Sequence, residues 1–286
     1  MGLVIPSPRP LRHWGEFKLE AGSHFSSFFP PLCNPNLDLC ICIEEKFPAM
    51  PLGLRTDKHV TQNILIYLSF LLIAWIGSLY GNAILGDHSF LRVWQLENIL
   101  ILLLGIPFLW LQSKVSLPNF FETSISNKNR FLIPALIGMV FGILDILVIK
   151  VLLHPQPYTE LPPFLQPFPY SLFLYFSGAL EVEVFYRLIP LTVFLAIGTW
   201  YQKGKYLNTL FWIGAILTSL REPLEQLPDG SYLLIFYSLG TGFLMNLLQA
   251  IFFKNSGFLA SLSVRLGHYL FWHILLGIYV EFVELG

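Results

Sequence analysis

Charged residues are scarce in this chain of 286 residues. Asp, Glu, Lys and Arg together make up 12% of it, whereas hydrophobic residues make up 55%. Soluble domains carry about 25% charged residues and rarely contain uncharged apolar tracts of about 20 residues, and this sequence has several such tracts. The composition therefore excludes an ordinary soluble globule. The formal net charge is −1 and no Lys/Arg cluster lies beside base-stacking aromatics, so we expect no nucleic-acid partner.

Cysteine is also scarce, with three residues that all lie between positions 33 and 42. Three thiols cannot form a closed disulfide framework, and their spacing lacks the second ligand pair of a zinc site. The sequence contains no His-Glu-x-x-His, Gly-x-Ser-x-Gly, P-loop or dinucleotide-binding signature. Zincin, serine-hydrolase and nucleotide-driven chemistry are therefore without support, and we expect no cofactor.

Two regions of the chain differ in composition. Residues 1–58 hold many prolines, charges of both signs and no helical period, which predicts a poorly ordered N-terminal extension. The extension lacks the pattern of a secretory signal peptide, and Met50 is an alternative start. Residues 59–286 are predicted to be a polytopic membrane domain. Its apolar tracts are long enough to cross about 30 Å of hydrocarbon, and they predict seven transmembrane helices, at 61–85, 95–113, 131–153, 168–200, 206–222, 231–253 and 257–281.

The basic residues predict the orientation of these helices, because Lys and Arg near span ends prefer the cytoplasm. With seven spans, the cytoplasmic side would hold Arg55, Lys58, Lys114, Lys128, Arg130, Lys203, Lys205 and Lys254. The other side would hold Arg92, Lys150 and Arg221. We therefore expect a multi-pass membrane protein with a cytoplasmic N-terminus, and we place it in a bacterial inner membrane.

The helix predicted at 168–200 carries Glu181, Glu183 and Arg187 in its middle. Each charge inside a bilayer costs about 2.5 to 3.5 kcal/mol, so its presence needs a cause. On an α-helix Glu183 and Arg187 share a face, whereas Glu181 points nearly opposite to Glu183. Two interpretations stay open: a buried ion pair that fixes helix packing, or a carboxylate that acts as a general base and activates water.

The last predicted helix carries a second polar cluster of Arg265, His268 and His273. Arg265 and His268 share a face, but His273 lies about 140° around an α-helix from His268. We therefore expect that the two histidines do not meet one ligand. A divalent metal at the glutamate and histidine residues is not expected, although these residue types leave it open.

Four other polar residues fall within predicted membrane helices. Asp145 is expected to pair with Lys150 or with an adjacent helix, and Asn246 and Gln249 are expected to form interhelical hydrogen bonds. Glu222 is held as a further candidate site residue, next to Pro223, which is predicted to end its helix.

The order of these elements over residues 170–280 resembles the CAAX-protease and bacteriocin-processing (CPBP) family of intramembrane endopeptidases. Glu183 and Arg187 match the second Glu and the Arg of the family's Glu-Glu-x-x-x-Arg motif, and His268 matches the His of its His-x-x-x-Asn motif. Residues 240–242 and 254–260 are similar to its glycine-bearing penultimate helix and the turn that follows. The chain is divergent, because three family positions are occupied by Val182 for the first Glu, Ala215 for the His of Phe-x-x-x-His and Trp272 for the Asn.

The resemblance implies a seven-helix CPBP-like bundle that hydrolyses a membrane-associated peptide or protein with a glutamate-activated water. It implies Glu183 or Glu181 as the base, Arg187 as the residue that orients the carboxylate, and His268 as the group that polarises the scissile carbonyl. Glu181 and His273 each lie one residue from a missing family group. The partners would be membrane lipid and the peptide or protein substrate. The alternatives are a catalytically inactive scaffold of the same fold and, less favoured, a transporter.

Overall fold

The structure is a computed structural model that describes residues 57–84, 91–115, 117–228 and 230–286. The described residues are helical and contain no β-strand, so the all-α prediction is confirmed. The predicted N-terminal extension lies outside the described residues, apart from the last two of its positions, which begin the first helix. The α-helices are, in chain order, α1 (Asp57–Ile84), α2 (Leu96–Leu102), α3 (Gly105–Gln112), α4 (Ile133–Asp145), α5 (Tyr170–Glu183), α6 (Ile189–Trp200), α7 (Leu207–Glu225), α8 (Tyr232–Ser256), α9 (Phe258–Tyr269) and α10 (Leu276–Tyr279).

Short π-helical turns join several of these helices into longer rods. They are Lys128–Leu132 and Ile146–Leu153 at the two ends of α4, Val184–Leu188 between α5 and α6, Leu270–Leu275 between α9 and α10, and Val280–Glu284 after α10. A π turn closes i to i+5 hydrogen bonds and so changes which side chains share a face.

Four helices are long and apolar enough to cross a membrane, namely Lys58–Ile84, Lys128–Leu153, Tyr232–Ser256 and Phe258–Glu284. They indicate a membrane protein, as predicted. The helix predicted at 95–113 is a shorter apolar segment, Leu96–Gln112, in which α2 and α3 are separate. At their junction the Tyr67 hydroxyl donates to the Leu102 carbonyl at 2.6 Å, which satisfies a carbonyl at the end of α2.

Two π turns end two residues before prolines, at Pro134 and at Pro190. A proline cannot donate to the carbonyl four residues earlier and crowds it, so the helix must adapt there. Before Pro190 that carbonyl belongs to Tyr186, and it accepts a hydrogen bond from Arg187 Nη1 at 2.8 Å. The helix therefore continues through Pro190, as predicted, with a later start at Tyr170. It is not among the four helices that are long and apolar enough to cross a membrane, so its membrane span stays a prediction.

The prediction that Pro223 ends its helix is wrong. α7 continues to Glu225 and holds Pro223 within its last turn. Pro223 is buried against α8, where a Cβ added at Gly242 would lie 3.0 Å from its ring. The packing of this ring and the burial of Glu222 stabilise the turn in spite of the lost backbone hydrogen bond.

α4 and α9 approach each other backbone to backbone. A Cβ on Gly138 would overlap the Val264 carbonyl oxygen, and one on Gly142 would lie 2.7 Å from the His268 carbonyl oxygen. A Cβ on Gly267 would overlap the Ala135 carbonyl oxygen in turn. Small residues one turn apart permit this closeness between membrane helices. Because positions 138 and 142 meet 264 and 268 in the same order, the two helices run parallel.

Alanine at Gly138 should destabilise the protein, because its Cβ has no space between the two backbones. We expect Gly138→Ala to cost at least about 1–3 kcal/mol, and Gly267→Ala to act alike. The measurement is the thermal unfolding midpoint of purified protein in lipid nanodiscs. Gly178→Ala is the matched control, since no atom lies within 4 Å of its added Cβ and alanine favours a helix. Equal midpoints for Gly138→Ala and Gly178→Ala would refute the close approach.

Candidate functional site

A buried polar network joins α5, α7, α8 and α9 at the centre of the bundle. Its members are at most 4% exposed and comprise two carboxylates, two guanidinium groups and two amides: Glu183, Arg187, Glu222, Asn246, Gln249 and Arg265. Two positive and two negative groups make the network formally neutral, which is the condition under which charges persist in a low-dielectric interior.

Arg265 holds the network together from α9. Its Nη1 and Nη2 donate to the two carboxylate oxygens of Glu222 at 2.6 and 2.5 Å, in a bidentate ion pair. Nη2 also donates to Asn246 Oδ1 at 3.0 Å and to Gln249 Oε1 at 2.9 Å. The two terminal nitrogens of one guanidinium thus bind one residue of α7 and two of α8.

Glu183 and Arg187 do not bond each other within the described structure. Glu183 Oε1 accepts from Gln249 Nε2 at 2.7 Å, whereas Arg187 Nη2 donates to Asn246 Oδ1 and to Gln249 Oε1, the latter at 3.5 Å. The interpretation as a direct ion pair is therefore wrong. The amides of Asn246 and Gln249 on α8 bond the two side chains in place of a direct contact.

Glu222, a further candidate from the sequence, has a central place in this network. It supplies the carboxylate that neutralises Arg265. The predicted interhelical hydrogen bonds of Asn246 and Gln249 are confirmed. Glu181 is half-buried on another face of α5 and has no hydrogen bond to any residue that the structure describes, so it does not join Glu183.

A second cluster lies where α4, α8 and α9 meet. His268 Nε2 lies 2.7 Å from Asp145 Oδ2, and Tyr237 donates its hydroxyl proton to Asp145 Oδ1 at 2.8 Å. The His268 and Asp145 side chains are 9% and 16% exposed, while His268 Nδ1 is buried and has no partner among the described residues. The expectation that Asp145 pairs with an adjacent helix is confirmed.

His273 lies closer to His268 than an α-helix allows. The ring centroids are 6.1 Å apart, because the π turn at Leu270–Leu275 brings positions i and i+5 toward one face. The separation of about 140° expected from ideal α-helical geometry is therefore wrong. His273 Nδ1 bonds the Phe164 carbonyl at 2.8 Å, and its ring stacks on Tyr175 at 4.3 Å.

The three positions that depart from the CPBP motifs are buried and apolar. Val182 and Ala215 belong to the packed interior of α5 and α7. Trp272 stacks on Phe164 with ring centroids 5.2 Å apart. No polar group therefore stands at these positions to act beside Glu183.

The two clusters differ in the chemistry they permit. Both clusters are largely buried. In the network around Arg265, the direct ion pair is the one between Arg265 and Glu222, whereas Glu183 and Arg187 bond amides and Glu183 Oε2 has no partner among the described residues. A histidine bonded to a carboxylate through one nitrogen, with the other nitrogen unengaged, is instead the arrangement of a general base. Within the described parts of the chain, no group of three or more His, Cys, Asp or Glu side chains is placed to hold a metal ion.

No protein-family model matches the chain, and neither a curated protein nor a solved structure shows significant similarity to it. The function must therefore be argued from the chain's own residues and their geometry.

Removal of one partner from the Arg265–Glu222 pair should destabilise the fold strongly. We expect Glu222→Ala to lower the free energy of unfolding by about 3–5 kcal/mol, because it leaves a buried guanidinium without its carboxylate. Urea or thermal unfolding in nanodiscs measures this change. Glu225→Ala is the matched control from the same helix, because Glu225 pairs with Arg221 at side-chain exposures of 46% and 53%. Such an exposed pair contributes about 0–1 kcal/mol, and an equal effect of both variants would contradict the account.

Proposed function

We propose that the protein is a multi-pass membrane hydrolase with a CPBP-like bundle, in which His268 rather than a glutamate activates the water. The observation that carries the proposal is the contact of 2.7 Å between His268 Nε2 and Asp145, with His268 Nδ1 left unengaged. The reaction class, peptide-bond hydrolysis in a membrane-associated peptide or protein, rests on the resemblance of residues 170–280 to that family.

Asp145 serves the proposed reaction as a positioning residue. It accepts the proton on His268 Nε2, which leaves Nδ1 as the acceptor of the neutral ring. Nδ1 takes a proton from water while the water oxygen attacks the scissile carbonyl carbon. The tetrahedral intermediate collapses with cleavage of the C–N bond, and the imidazolium returns its proton to the departing amine. The Asp145 carboxylate stabilises the imidazolium between these two steps.

The resemblance implies Glu183 or Glu181 as the base, and we assign that role to His268 instead. Glu183 is fully buried and its Oε1 is committed to Gln249. We assign Glu183, Arg187 and the rest of their network to holding α5, α8 and α9 together. The distribution of Lys and Arg along the chain supports seven spans with a cytoplasmic N-terminus in a bacterial inner membrane.

His268→Ala and Asp145→Asn should both reduce hydrolysis. Loss of a general base lowers the rate by about 10²–10⁴-fold, and loss of its positioning residue lowers it less while moving the pH profile. The measurement compares the peptides released in membranes of cells that express wild-type or variant protein, followed by rates on any peptide identified. His59→Ala, an exposed histidine of α1, is the matched control.

The outcome of Glu181→Gln separates this proposal from a glutamate-dependent one. Hydrolysis that survives Glu181→Gln but not His268→Ala supports the histidine base. Hydrolysis that is lost in Glu181→Gln and retained in His268→Ala would overturn it.

A second candidate is a catalytically inactive membrane protein that binds a partner. The burial of apolar Val182, Ala215 and Trp272 at the positions of polar family residues favours it. In that case the released peptides are the same for wild-type, His268→Ala and Asp145→Asn. A protein that co-purifies with the wild type in nanodiscs then identifies the binding role.

A further inference from the structure

A groove of about 490 Å³ lies between the C-terminal halves of two rods. One is the α4 rod, Lys128–Leu153, and the other is the last rod of the chain, Phe258–Glu284. Its apolar lining includes Ile146, Val151, Phe271, Leu275, Leu276 and Tyr279. Both walls belong to helices long and apolar enough to cross a membrane, Lys128–Leu153 and Phe258–Glu284. The groove volume lies in the range of about 300–1,000 Å³ that is usual for small-molecule sites.

The groove has one polar end, formed by Lys150 and Glu284, which pair at 2.9 Å. Lys150 also donates to the Gln156 carbonyl at 2.8 Å and lies 4.1 Å from the centre of the Tyr158 ring. Burial and the Glu284 carboxylate raise the pKa of the Tyr158 hydroxyl, so this phenol stays neutral. The end of the groove is therefore polar but carries no net charge.

The length of the groove corresponds to one leaflet. Phe271 and Glu284 lie about 20 Å apart along the last rod at a rise of about 1.5 Å per residue. The hydrocarbon of one leaflet is about 15 Å deep, half of the bilayer core. The polar end coincides with the ends of both helices, at Leu153 and Glu284, which is where a spanning helix reaches the headgroup region.

We propose that this groove binds one acyl chain of a membrane phospholipid, with the ester region at the Lys150–Glu284 pair and the tail directed toward Ile146 and Phe271. The bilayer supplies this occupant at the open side of the groove. Because the polar end is neutral, affinity depends on the chain rather than on the headgroup charge. The lining of this site begins one residue after Asp145, at Ile146, and three residues after His268, at Phe271. Lipid binding here does not depend on the proposed hydrolysis.

The test uses wild-type protein in nanodiscs of phosphatidylcholine that carries a photoactivatable group in one acyl chain. Mass spectrometry locates the lipid adducts after irradiation. We expect adducts on residues 271–284 at least five-fold above those on the lipid-exposed face of α1 that contains Leu72. Equal labelling of the two faces would mean an ordinary annular lipid and would overturn the proposal.

Leu275→Trp fills the groove and should reduce the adducts on 271–284 at least five-fold. Leu275 is already 43% exposed, so the larger ring is compatible with folding, and Leu72→Trp at 51% exposure is the matched control. Replacing phosphatidylcholine by phosphatidylglycerol should leave the adducts unchanged. Labelling that requires phosphatidylglycerol and disappears in Lys150→Gln would show headgroup binding and contradict a site for the chain. Hydrolysis assays on the same samples report on the other proposal separately.

Discussion

The close approach of α4 and α9 is the constraint on which the candidate site depends. Gly138, Gly142 and Gly267 remove the side chains that would hold the two backbones apart. Asp145 then ends α4 within hydrogen-bond distance of His268 on α9. A membrane interior offers little hydrophobic force between helices, so packing of this kind and interhelical hydrogen bonds must supply the association. The contact between the Asp145 carboxylate and the His268 ring thus depends on three glycines that let the two helices approach.

The network around Arg265 allows four charged side chains to be buried together. Arg265 pairs directly with Glu222, and Gln249 accepts from Arg265 and donates to Glu183. The Asn246 side-chain oxygen accepts from both guanidinium groups. Such a network contributes less to stability than its short distances suggest, because desolvation offsets the electrostatic gain. Its effect is to fix the relative positions of α5, α7, α8 and α9, and the loss of any charged member leaves another charge unpaired.

Several features of the fold could be predicted from the sequence because they follow from composition and periodicity. The helical class, the four helices that are long and apolar enough to cross a membrane and the single rod through Pro190 belong to this group. The contact of Asp145 with an adjacent helix could be anticipated, because a buried carboxylate needs a partner. Which helix supplies it depends on packing between distant parts of the chain, here on the glycines of α4 that let α9 approach.

Ideal α-helical geometry leaves a direct Glu183–Arg187 ion pair open and predicts that His273 stands apart from His268. In the structure, amides of α8 bond Glu183 and Arg187 in place of the ion pair. The π turn at Leu270–Leu275 brings His273 toward His268, and no proline beside this turn signals it in the sequence. The pairing of Glu222 with Arg265 joins positions 43 residues apart, which periodicity along one helix does not reveal.

The tautomer of His268 tests the central claim most directly. Nitrogen-15 spectra of histidine-labelled protein in nanodiscs distinguish a protonated ring nitrogen from an unprotonated one at each histidine, with His268→Ala used for assignment. The account predicts a neutral His268 with its proton on Nε2, hydrogen-bonded to Asp145, and an unprotonated Nδ1 that changes in Asp145→Asn. A proton on Nδ1, or a spectrum that Asp145→Asn leaves unaltered, would contradict the assignment of His268 as the base.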